Sequence, residues 1–265
     1  MTFRLGPVPV TLHGSFLLLA LFGWLRYETL EYTLAWTLAV FLAILTHEAG
    51  HAFTARAFGA TKVAIYLFAF GGATTYPVST NMGPGRRFLV SAAGSAVGIA
   101  TGAIAIAIGV QQQWLTVELA WPPLVLLRPN DFLVVFLISF ITAALVWGIL
   151  NWLPIRPLDG GQMLHSFLEI VAPSIAETGT KVVSLAVGIP VIVVALAYQE
   201  VFAALIVGFL LMSGLRSPPA RPAPQSSSGR AGVPEIVDDG RSQGDSERSA
   251  PGSDDSQPPP PEFPI

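Results

Sequence analysis

Apolar residues run along most of the first 216 positions in long blocks, separated by short polar or Pro/Gly-rich joints. Six blocks approach the roughly 20 residues that cross a bilayer. They are Gly14 to Leu25, Tyr32 to Phe58, Phe88 to Val110, Phe132 to Leu153, Val182 to Tyr198 and Val201 to Leu215. The first is short unless Val10 to His13 contribute. Phe3 to Leu12 alternates and is broken by Pro7 and Pro9, which predicts a short edge strand. Lys62 to Ser79 is different again. Val63, Ile65, Tyr66, Phe68 and Phe70 favour strand and Gly71-Gly72 favours a turn, so a β-hairpin is expected there. Gln111 to Asp131 holds Trp114, Trp121 and Pro122-Pro123 and is expected at the membrane interface. A short helix is expected over Gly161 to Val171, and a kink in the fifth span at Pro190.

Composition agrees with this pattern. The 265 residues are 52% hydrophobic and 12% charged, about half the charge of an average soluble domain. Much of the surface is therefore expected to meet lipid. Cysteine is absent, which excludes disulfides and thiolate metal sites. The N-terminus lacks a small-residue cleavage site, so the first block is read as a retained helix. From Ser217 onward Pro, Ser, Gly and Asp dominate, and residues 217–265 are expected to form a disordered acidic tail. The fold expected is an all-α polytopic membrane domain over residues 1–216. It has about six spans, a short N-terminal strand and a small membrane-associated hairpin.

Basic residues set the orientation. With the N-terminus inside, Arg4, Arg56, Lys62, Arg86, Arg87, Arg156 and Lys181 fall on the cytoplasmic side and only Arg26 and Arg128 outside. Gly94, Gly98 and Gly102, continued by Ala105 and Gly109, line one face of the third span and read as a helix-packing surface.

The candidate chemistry sits inside the second span, at His47-Glu48-Ala49-Gly50-His51. Residues i and i+4 share a helix face, so both imidazoles can hold one metal, and Glu48 can reach a water there. Ionisable side chains in an apolar span are costly and usually mark function. The competing reading is a buried polar cluster that joins helices. Catalytic zinc has three protein ligands and an open position. Asp159 is the leading third candidate. It follows the fourth span in Asn151-Trp152-Leu153-Pro154-Ile155-Arg156-Pro157-Leu158-Asp159-Gly160-Gly161, where the prolines break the helix and the glycines permit tight backbone. An ordinary helix cap before Gln162 is the alternative, and spacing leaves both open. His13 reads as an interfacial residue. His165, six residues beyond Asp159, reads as a solvated helix position in preference to a neighbour of the site.

Together, His47 to His51 and Asn151 to Gly161 resemble the site-2 protease family of intramembrane metalloproteases. The second stretch matches that family's Asn-x-x-Pro-x-x-Pro-Leu-Asp-Gly-Gly pattern at every fixed position. Weaker likenesses are Val10 to Phe16 and the Phe70-Gly71-Gly72 turn. The resemblance implies a catalytic core of the second, third and fourth spans, zinc held by His47, His51 and Asp159, and Glu48 as general base. It implies that Asn151 helps to hold substrate or polarise the scissile carbonyl. One departure is Gly94-Ser95, where many relatives carry Gly-Pro. Neither a PDZ nor a CBS domain is expected.

The activity expected is hydrolysis of peptide bonds in or near the membrane segment of a single-span anchored protein. The active site would open to the cytoplasm of a multi-pass protein in the plasma membrane. A relative that binds membrane segments without cleaving them is the alternative. No nucleic-acid partner is expected, and the oligomeric state is left open.

Overall fold

The computed structural model describes residues 1–69, 71–77, 82–118, 124–127 and 132–216. All of these lie within one compact unit, Met1–Ala223. The expected tail lies outside the described residues, as do Phe70 and the Trp121-Pro122-Pro123 break.

The N-terminal segment forms a hairpin, not the single strand expected. Strands β1 (Thr2–Leu5) and β2 (Val8–Leu12) pair antiparallel. Gly6 turns the chain between them at φ 59°, a left-handed conformation that favours glycine. Pro7 falls in this turn, and Pro9 faces Arg4 in the pair. The chain then passes through α1 (Leu17–Tyr27) and α2 (Leu30–Ala57) before β3 (Ala64–Phe68) returns parallel to β2. A parallel pair needs a long crossover, and the two helices supply it. Strand β4 (Gly71–Thr75) pairs antiparallel with β3, so the hairpin expected in this region is present. The sheet order is β1-β2-β3-β4, with β1 and β4 at its edges. Val8, Val10, Ile65 and Leu67 point from its buried face and pack with Phe16, Ile44, Ala52 and Ala55. The sheet is thereby fixed against the half of α2 that carries the histidines.

Helix α3 (Pro84–Gln111) follows, with Pro84 in its first turn, where a missing N–H does no harm. Strands β5 (Leu115–Glu118) and β6 (Leu124–Leu127) then form a second hairpin that the apolar pattern does not predict. Helix α4 (Phe132–Leu150) leads through a loop into α5 (Asp159–Val171), α6 (Ala176–Ala197) and α7 (Val201–Arg216). Helix α6 continues through Pro190.

Helices α2, α3 and α4 pack on one another, and α5 lies against α3. Among the described residues, four helical segments are long and apolar enough to cross a membrane: Leu30–Ala57, Pro84–Gln111, Phe132–Leu150 and Pro173–Ala197. The first and last helices of the expected six are apolar but shorter, at 11 and 16 residues. Large apolar side chains such as Ile104, Ile149, Val193 and Phe209 face outward. Water would not favour that arrangement, and lipid does. This is the build of a multi-pass membrane protein.

Candidate metal centre

Two helices approach unusually closely at the His47–His51 motif. Gly50 of α2 lies on the α3 backbone, where a Cβ would stand 2.7 Å from the Ala93 carbonyl oxygen. A Cβ on Gly94 of α3 would overlap the His51 ring. With neither Cβ present, the His51 imidazole lies over α3, and its Nδ1 sits 2.7 Å from the Val90 carbonyl oxygen. A carbonyl can only accept, so Nδ1 carries the proton and the Nε2 lone pair is left to face the site. The glycine row predicted as a packing surface therefore does position the site. Gly98 continues it beneath His47 and against the Ala144 carbonyl oxygen.

Asp159 reaches the same point from another direction. After α4 the chain folds back on itself, and the Gly160 N–H donates to the Asn151 carbonyl at 2.6 Å. A Cβ on Gly160 would overlap the Trp152 and Leu153 carbonyls, and one on Gly161 would stand 2.6 Å from the Arg156 nitrogen. The Asp-Gly-Gly run thus gives the compact turn that starts α5 with the Asp159 carboxylate facing α2.

The three side chains converge. His47 Nε2 lies 3.2 Å from Asp159 Oδ2, and His51 Nε2 lies 3.3 Å from Oδ1. The two Nε2 atoms are 3.1 Å apart. One ligand atom from each residue falls within 4.8 Å of the others, and both histidines are buried. Two imidazole nitrogens and a carboxylate oxygen are a donor set that suits zinc, with three protein ligands and a fourth position free. The residues present fit the metal.

Glu48, one residue beyond His47, is also buried. Strand β4 backs it. Thr74 Oγ1 lies 2.7 Å from Glu48 Oε2 and donates to it, and a Cβ on Gly72 would stand 2.5 Å from Glu48 Cγ. The Gly71-Gly72 pair, read as a turn, therefore also makes room for this carboxylate. Asn151 is buried on the loop that carries Asp159.

Two contributors escape sequence reading. Thr74 is one. Ser95 is the other: it is fully buried, and its hydroxyl donates to Asp159 Oδ2 at 2.9 Å. The departure from Gly-Pro at Gly94-Ser95 is the one signal pointing there. His13 caps the first helical turn, its Nδ1 accepting from the Ser15 N–H at 3.2 Å, and lies outside the metal group.

His165 corrects an expectation. It is buried, not solvated, with Nδ1 3.4 Å from Thr180 Oγ1 and Nε2 3.6 Å from Glu169. It belongs to a charged cluster where Arg87 pairs with Glu169, and Arg156 and Lys181 pair with Glu177 at 3.0 and 3.1 Å. A helix wheel of α5 alone could not show that α3 and α6 cover this position.

Comparison with known proteins places the chain in context. No protein-family model matches it. Over 131 residues it is 30% identical to Rip3, provisionally named a zinc metalloprotease, from the Erdman and H37Rv strains of Mycobacterium tuberculosis. That match covers 48% of this chain and 29% of the relative, so the chain spans less than a third of the relative's length. The fold is that of the site-2 protease from Methanocaldococcus jannaschii, with a TM-score of 0.56 at 17% identity, over 84% of this chain and 98% of that one. Both motifs, a relative named as a zinc metalloprotease and this shared fold make the chain similar to the site-2 protease family.

Proposed function

We propose that this protein is an intramembrane zinc metalloprotease that cleaves single-span membrane proteins in or near their membrane segment. The observation that supports it most is the convergence of His47 Nε2, His51 Nε2 and the Asp159 carboxylate beside a buried Glu48. Zinc, when bound, supplies a Lewis acid and lowers the pKa of a water ligand to about 7. Glu48 accepts the proton of the attacking water and returns it to the leaving nitrogen. Thr74 holds one oxygen of Glu48 and leaves the other for this transfer. Asn151, carried on the Asp159 loop, orients the substrate or polarises its scissile carbonyl.

A helical substrate has its amides closed, so it must unwind locally before attack. Strand β4 is a sheet edge that touches Glu48 through Thr74. An extended substrate strand would add to that edge and lie beside the base. The basic-residue pattern supports an N-terminus inside, and with it a site that opens toward the cytoplasm. The shorter α1 and α7 complete six spans by local thinning of the bilayer.

Metal removal tests the reading. Purified protein in detergent should cleave a single-span model substrate, lose that activity on chelation and regain it on adding zinc back. Cleavage that persists in metal-free protein would rule out a zinc protease.

A further inference from the structure

Among the described residues, Ser95 is the side chain outside the metal group that donates a hydrogen bond to the Asp159 carboxylate. It is fully buried on α3, one residue after the glycine that seats the His51 ring. Its hydroxyl donates to Asp159 Oδ2 at 2.9 Å, the same oxygen that lies 3.2 Å from His47 Nε2. Residues 95 and 159 lie 64 positions apart and on different helices. Asp159 is the first residue of α5, and its carboxylate can turn about two side-chain bonds. The loop geometry places its backbone but does not set that rotation.

We propose that Ser95 is a positioning residue that fixes the Asp159 carboxylate toward the two histidines and thereby strengthens zinc binding. This rests on the zinc-protease reading above. Order and charge both act in this direction. A carboxylate that is free to turn loses rotamer freedom when it binds a cation, and one already held loses less. The hydroxyl also donates a second contact to the oxygen that faces His47, which holds the carboxylate in that orientation. Groups that hold a ligand in this way are typically worth about 10–100-fold in metal affinity. A proline at this position has no hydroxyl to donate, so the contact is specific to Ser95.

The test uses the full chain in detergent, with zinc affinity measured by chelator competition and Co2+ as a spectroscopic probe. Ser95→Ala should weaken zinc about 10–100-fold and shift the visible bands of the cobalt protein. Its metal-free unfolding temperature should match that of the metal-free wild type. Ser95→Thr keeps a hydroxyl and should retain most of the affinity. Thr101→Ala, which removes a hydroxyl bonded only to carbonyls of its own helix, should leave affinity and spectrum unchanged. Unchanged zinc affinity in Ser95→Ala would overturn the proposal. So would a folded Ser95→Thr protein as weak as Ser95→Ala, or a loss matched by equal destabilisation of the metal-free protein. Wild-type protein that binds no zinc would instead overturn the zinc-protease reading itself.

Discussion

Gly94 has no side chain because the His51 ring occupies the space where its Cβ would stand. Gly50 and Gly72 answer to the same kind of constraint, from the α3 backbone and from Glu48. The three residues of the metal group are legible in the sequence as candidates because their spacing encodes them. Positions 47 and 51 share a helix face, and Asp159 sits in a Pro/Gly-rich break at the end of a span. Ser95 and Thr74 are not legible, because their partners lie on other elements: α3 meets the start of α5 at Ser95, and β4 meets α2 at Thr74. Gly94→Ala should weaken zinc binding and destabilise the fold by about 1–3 kcal/mol, the usual cost of overpacking. Gly85→Ala, with open space around its Cβ, should do neither. Chelator competition and thermal unfolding of the two variants check this; equal behaviour would show that the close approach of α2 and α3 is not needed.

Elements differ in how much of them the sequence reveals. The long helices are legible from apolar length, and their ends move by a few residues only. The N-terminal hairpin is hidden because Pro7 and Pro9 read as strand breakers, whereas one lies in the turn. The β5–β6 hairpin is hidden because Trp and Pro residues mask its short strands. His165 misleads because α5 is covered by its neighbours. Burial, and next the Arg156 cation, hold its imidazole below the usual range, with Glu169 and Glu177 opposing. The folded state therefore favours neutral His165. The stability this gives is complete above the unfolded value of about 6.5 and is lost as pH falls through the lower folded value. The unfolding temperature should thus drop as pH falls below about 6.5, and His165→Gln, neutral throughout, should remove part of that drop. The groups facing His165 are Arg156 from the loop, Glu169 with Arg87 from α5 and α3, and Glu177 with Lys181 from α6. Identical pH profiles for the two proteins would assign the drop to those carboxylates.

At the scale of the whole molecule, the described residues end at Arg216 and form one unit around α2, α3 and α4. From Ser217 onward Pro, Ser, Gly and Asp dominate the sequence. A chain ending at Arg216 should therefore remain folded and keep its zinc in detergent, and loss of zinc or of the cooperative unfolding transition would give residues 217–265 a structural part. In the proposed function, proteolysis would turn on one carboxylate. Glu48 is backed by the sheet through Thr74, lies one residue from His47 of the metal group and is buried. The most direct measurement reconstitutes wild-type and Glu48→Gln protein in vesicles with a labelled single-span substrate, and follows cleavage and zinc content together. The amide that replaces the carboxylate cannot accept the proton, so cleavage should fall by at least about 100-fold with zinc content unchanged. Cleavage at the wild-type rate by the zinc-loaded Glu48→Gln protein would contradict the account.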